Sequence, residues 1–143
     1  MQEKWAFEWS DEYISGNEVI DDYHKKIIEN IFEIHSMFDT VPINTDKITE
    51  HTKILETALL EHMDKEIDYM EEFNLPQRFS HEESHSRYIS KLELYKKHSM
   101  PPLIYSLLVT EIARDYMASH FFYFDKRDLP RVNEQLKLLN TIS

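Results

Sequence analysis

The sequence predicts an all-α protein: an up-down-up-down antiparallel four-helix bundle with an N-terminal arm and a short C-terminal helix. Three observations predict it. Apolar residues recur at three- and four-residue spacing through four segments of about 20 residues, the period of helices that bury one face. A single glycine in 143 residues is too few for a turn-rich β fold. The prolines at 42, 76, 101 and 102 stand between the periodic segments, where short loops join antiparallel neighbours. The length suits one domain spanning 1–143, large enough to bury a core without staples.

Residues 1–17 place Trp5, Phe7, Trp9 and Tyr13 among polar residues, as an arm anchored by aromatic rings. The bundle is expected over about 18–126. Its first helix starts near Asn17 and runs to about Phe38, with Ile20, Ile27, Ile31, Ile34 and Phe38 on one stripe and His24 among them. Val41-Pro42-Ile43-Asn44 reads as a loop. Thr45 is the expected N-cap of the second helix, with Asp46 favourable in its first turn. That helix carries Ile48, Leu55, Leu59, His62, Glu66, Tyr69 and Phe73 along one side.

Phe73-Asn74-Leu75-Pro76 reads as a stop, a turn and a new start. Pro76 opens the third helix, with His81, His85, Tyr88, Leu92 and Tyr95 inward, and Met100-Pro101-Pro102 breaks it. The fourth runs from about Leu103 to Lys126, with Leu108, Ile112, Tyr116, His120 and Phe124 inward. Leu129-Pro130 ends it. The tail, 127–143, forms a short helix through Leu136 and Leu139.

Composition narrows the chemistry. With no cysteine, disulfides, thiolate metal sites and thiol catalysis are excluded. The one glycine excludes a Gly-rich phosphate loop. A formal charge of -11 with no basic block makes nucleic acids and anionic membranes poor partners. No apolar run approaches the roughly 18 residues of a membrane span. Met1-Gln2-Glu3-Lys4-Trp5 lacks the basic-then-apolar form of a signal peptide, so the expected location is the cytoplasm.

What interrupts the apolar stripes carries the function. His62 and Glu66 stand four apart, as do His81 and His85, and residues four apart share a helix face. His24 lies early in the first helix, His62 and Glu66 late in the second, His81 and His85 early in the third, and His120 and Asp125 late in the fourth. Alternating early and late is what an antiparallel bundle needs to bring all seven to one level. Unpaired burial of such groups costs several kcal/mol each. A metal centre resolves the conflict, because cations compensate the carboxylates and imidazole lone pairs become ligands. An all-His, Asp and Glu donor set suits iron, zinc or manganese.

The set His24, His62-x3-Glu66, His81-x3-His85 and His120-x4-Asp125 resembles the hemerythrins at every ligand position. Glu8-Trp9-Ser10-Asp11-Glu12-Tyr13, followed by Ile20-Asp21-Asp22-Tyr23-His24-Lys25-Lys26, is similar to the start of the bacterial type. The resemblance covers nearly the whole chain. It implies a non-haem di-iron centre that binds dioxygen reversibly, for carriage, storage or delivery of oxygen, with no catalytic residues. His81, His85 and His120 would hold one iron and His24 and His62 the other. Glu66, Asp125 and an oxo or hydroxo group would bridge them, leaving an open position on the second iron for dioxygen. Ile27, Met63, Tyr116, Met117 and Phe121 would line the oxygen pocket. Met63 stands where the family often has Phe, Tyr116 where it often has Trp, and Glu66-Ile67 where an acidic pair is common. A sensor of oxygen, nitric oxide or redox state, or a peroxidase or oxidase, would use the same site.

Three competing readings are weaker. His81-Glu82-Glu83-Ser84-His85 also spells H-E-x-x-H, the zinc-peptidase motif, with Glu82 as base and Glu111 as a possible third ligand. It lacks a substrate-binding strand and leaves His24, His62, Glu66, His120 and Asp125 unexplained. A ferritin-like site needs two Glu-x-x-His motifs, and only Glu82-x-x-His85 is present. Reading each histidine as an ordinary polar residue suits His35, His51 and His98, which are assigned no role, but leaves the seven together unsatisfied. Tyr69, Tyr88 and Phe124 read as core, and Lys25-Lys26 and Glu71-Glu72 as solvated surface.

Overall fold

The computed structural model describes residues 10–142. Trp5, Phe7 and Trp9 of the expected arm lie outside the described residues. Within them the chain is all-helical, with no strand. Helices α1 (Glu18–Phe38), α2 (Thr45–Glu72), α3 (Arg78–Lys97) and α4 (Pro102–Asp115) pack together as a bundle. A π-helical segment, Tyr116–Asp125, continues α4, and α5 (Lys126–Ile142) follows it. No helix among the described residues is long and apolar enough to cross a membrane.

Contacts between neighbours run in opposite chain directions. On α1 and α2, Asn30 meets His51 while His24 meets His62. On α2 and α3, Glu66 meets His85 while Glu56 meets Lys96. Tyr88 on α3 stacks edge-on against Tyr116, and Ser84 bonds His120. This is the antiparallel order that short loops impose.

The helices form for local reasons. Asn17 caps α1, its side chain accepting from the Ile20 N–H. The cap of α2 is Asn44 and not Thr45: the Asn44 side chain accepts from the Lys47 N–H, and Thr45 is already helical. Asparagine is a better cap than threonine, and it stands one residue closer to the loop. Asn74 takes a left-handed backbone after α2, with the Leu75 N–H returning to the Met70 carbonyl. That is how a helix end closes its orphan carbonyls. Pro76 then lies in the turn, and α3 begins two residues later at Arg78.

Two features differ from expectation. The fourth helix is not α-helical to Lys126, because it widens at Tyr116. Nor does Leu129-Pro130 end the helical run, for Pro130 lies inside α5. A proline in a helix costs about 3 kcal/mol. Leu129 and Val132 flank it, fully buried against Ile20, Ile67, Met70 and Leu75. Burying two such side chains contributes about 3–6 kcal/mol, enough to carry the helix through. The tail helix therefore closes one end of the bundle.

The chain before α1 is tied to that same end. Tyr13, in a 3-10 turn at Asp11–Tyr13, is buried with its ring 5.4 Å from that of Phe121. Ser15 bonds Asp21 through both its amide and its hydroxyl. Gly16 has φ +87, and a Cβ there would come within 3.1 Å of the Asn133 side chain, which donates to the Ser15 carbonyl. Backbone sign and space both favour glycine at this crossing.

Candidate metal centre

The seven ionisable residues on the stripes are all buried, at 0 to 2% exposure. They form two overlapping groups. Glu66, His81, His85, His120 and Asp125 offer donor atoms all within 4.8 Å of one another, and so do His24, His62, Glu66 and Asp125. The two carboxylates belong to both groups.

Their orientation is specific. Glu66 turns Oε1 toward His81 and His85, each Nε2 at 3.1 Å, and Oε2 toward His62 and His24 at 3.7 and 3.9 Å. Asp125 turns Oδ1 toward His81 and His120, each at 3.1 Å, and Oδ2 toward His24 at 3.4 Å. Each carboxylate thus spans a three-histidine side and a two-histidine side.

Helix geometry explains how the residues converge. His62 with Glu66, and His81 with His85, use the ordinary one-turn spacing of an α-helix. His120 and Asp125 are five apart, which on an α-helix separates them by about 140° around the axis. The π segment, with its i→i+5 hydrogen bonding, is wound more loosely and brings both onto one face. It spans Tyr116–Asp125, so it also turns Tyr116, Met117 and Phe121 inward.

Three of the five outer ring nitrogens, those of His62, His81 and His120, are held as well. The His62 Nδ1–H donates to the Leu59 carbonyl at 2.8 Å. The His81 Nδ1–H donates to Asp128 Oδ2 at 2.8 Å, and His120 Nδ1 pairs with Ser84 Oγ at 2.6 Å. The Leu59 and Asp128 oxygens, which only accept, put a proton on Nδ1 of His62 and His81, and all three bonds leave Nε2 aimed inward, as imidazoles that bind metals are commonly held.

Asp128 is the residue that sequence reasoning missed. It is 1% exposed and clamped by Arg127, which reaches Ser80. The signal available was its place three residues, one helical turn, after Asp125, and the expected stop at Pro130 hid it. Asp128→Ala is expected to lower metal affinity about 10- to 100-fold with the helical fold retained. Titration against a competing chelator, with circular dichroism alongside, measures both.

The electrostatics show strain in the protein-only cluster. Burial pushes the Glu66 carboxyl up, as does the Asp125 charge, yet His62, His81 and His85 together hold it down to about 2. Asp125 is likewise driven up by burial and held well below its ordinary range by His120, His24 and His81. Burial lowers the His62 imidazole to about 4. It also acts to lower His81, but Asp125, Asp128 and Glu66 outweigh it and raise that imidazole to about 11.

Even so, the side chains do not satisfy one another. His24 Nε2, Glu66 Oε2 and both Asp125 oxygens are buried without a hydrogen bond. Orphaned groups of this kind cost about 1–3 kcal/mol each, and more when charged. Cations between them would take up these lone pairs, and a nitrogen and oxygen donor set without thiolate fits iron, zinc or manganese.

The remaining candidates sort plainly. Ile27, Met63, Tyr116, Met117 and Phe121 are fully buried in one core cluster. The His24 ring meets Phe121 edge-on at 4.9 Å. Glu82 is exposed, and Glu111 is exposed and paired with Arg114. His81 and His85 face Glu66 instead, which leaves the zinc-peptidase reading without its base or third ligand. His51 bonds Asn30 away from the cluster, and neither His35 nor His98 belongs to it.

Fold and site together define an all-helical, four-helix protein with a buried histidine and carboxylate cluster able to hold metal ions. No family model, no curated protein and no solved structure matches the chain.

Proposed function

We propose that the chain is a hemerythrin-like protein that binds dioxygen reversibly at a non-haem di-iron centre, for carriage, storage or delivery of oxygen. The observation that carries this reading is the two-sided orientation of Glu66 and Asp125, each with one oxygen toward each group of histidines. A site for one metal needs no such sharing. Iron, when bound, supplies an open coordination position and the electrons that dioxygen binding requires.

The chain's own residues do the rest. His81, His85 and His120 offer three Nε2 donors to one ion, and His24 and His62 offer two to the other, with Glu66 and Asp125 across both. The two-histidine side is short of one protein donor and is the side where dioxygen fits. Ile27, Met63, Met117 and Phe121 lie in the same dry core, and apolar walls slow the loss of a charged species to water. Chemistry beyond binding is not required of any residue, so the reading is of a binding protein and not an enzyme.

The test is a visible spectrum of the reduced, iron-loaded protein before air, after air and after oxygen is removed. A band that appears with air and disappears on deoxygenation is the expected result. A band that forms and persists means irreversible oxidation and favours a sensor or a peroxidase. Iron uptake with no band at all overturns dioxygen binding.

A further inference from the structure

Tyr116 is fully buried, and its hydroxyl enters the cluster rather than the surrounding core. It donates to His62 Nε2 at 2.8 Å and lies 3.2 Å from His85 Nε2 and 3.4 Å from Glu66 Oε1. The ring is locked: it stacks on His120 with centroids 4.4 Å apart and meets Tyr88 edge-on at 5.1 Å. The hydroxyl therefore sits at the seam between the three-histidine and two-histidine sides.

The His62 lone pair it uses is the one a metal ion would take, because His62 Nδ1 already donates to Leu59. Once that lone pair is committed, the phenol proton needs another acceptor, since buried donors rarely stay unpaired. The His85 Nε2 lone pair is committed in the same way, while Glu66 Oε1, the longest of the three contacts at 3.4 Å, keeps a second lone pair. Ile27, Met63, Met117 and Phe121, which share the core, offer no strong acceptor. A small ligand at the open position on the His62 side would be a further acceptor, in competition with Glu66 Oε1 and a bridging oxygen.

We propose that Tyr116 selects the small ligand of this centre by donating a hydrogen bond to it, favouring ligands that carry negative charge on the atom facing the phenol. The inference rests on the di-iron reading above and adds a specificity-determining residue to it. A hydrogen bond to a charged acceptor changes affinity by about ten-fold or more, so the phenol separates azide-like anions from neutral ligands of the same size.

The experiment uses azide as the probe on the oxidised, iron-loaded protein, with Tyr116→Phe, which keeps the ring. Three quantities are read: iron content, azide affinity from the visible spectrum, and the infrared azide stretch in water and in heavy water. The expected result is equal iron content, about ten-fold or greater loss of azide affinity in Tyr116→Phe, and a heavy-water shift of the azide stretch that the variant lacks. A merely structural role for Tyr116 would not produce that isotope shift. Normal iron content with unchanged azide affinity and an unchanged isotope shift in the variant overturns this proposal alone. A wild-type protein that takes up no iron overturns the di-iron reading and this proposal with it.

Discussion

Removing the metal from the loaded protein is expected to lower its melting temperature by about 15 °C or more. The reason lies in what metal-free burial asks of the core. Glu66 and Asp125 stay charged beside His24, His62, His81, His85 and His120, with several polar atoms left orphaned. A deficit of about 5 kcal/mol relative to the loaded site is modest for this many buried groups. At roughly 3 °C per kcal/mol for a domain of this size, it gives the stated shift.

The loss should also be uneven. Helix α1 buries Ile20, Ile27, Ile28, Ile31 and Ile34, whereas the buried residues of α3 are His81, Ser84, His85 and Leu92. Leu92 is the one apolar side chain of that set; Tyr88, Ile89 and Tyr95 are only partly buried. The start of α3 is thus lined by imidazoles, and a bound metal would make them adhesive. Hydrogen exchange after chelation should show α3 losing protection first, with α1 and α2 lagging. An unchanged melting temperature and uniform protection would mean that the cluster does not hold structural metal.

The contrast between α1 and α3 bears on how much the sequence reveals. On α1 and α2 the apolar period is strong, and helix bounds follow from it to within a residue or two. On α3 the apolar signal is faint, and what places the helix is Pro76 before it, Pro101-Pro102 after it and the spacing of His81 and His85 within it. His62 with Glu66 is equally legible, because α-helical spacing puts them on one face. His120 with Asp125 is not, since five residues on a regular helix point in different directions. The count of levels places both late in the fourth helix and the hemerythrin resemblance pairs them, but nothing in Tyr116–Asp125 advertises the π-helical winding that turns them to one face. Asp128 and the passage through Pro130 are illegible for a common reason. Both depend on tertiary partners far away in the chain, His81 in one case and Ile20, Ile67 and Met70 in the other.

The second large effect concerns the shared carboxylates. Glu66→Ala and Asp125→Ala are each expected to reduce metal affinity at least about 100-fold and to lower the number of ions held per chain. Glu82→Gln should leave both within about two-fold. Loss of a residue on one side of a metal pair removes one donor from one ion. Loss of Glu66 or Asp125 removes a donor from both sides at once, because each directs its two oxygens at different groups of histidines. It also removes the negative charge that offsets two adjacent cations, whose mutual repulsion rises steeply in a dry core. Glu66→Gln separates these contributions, since it keeps the shape and one oxygen donor while removing the charge. An intermediate loss in Glu66→Gln would apportion the effect between charge and geometry. Glu82, exposed on the outer face of α3, touches neither term. If Glu66→Ala and Asp125→Ala kept their full metal content, the ion would sit in the H-E-x-x-H string, where Glu82 is the base and not a ligand, and the shared-carboxylate site would be wrong. Elemental analysis of the four proteins, loaded and desalted side by side, decides between the two.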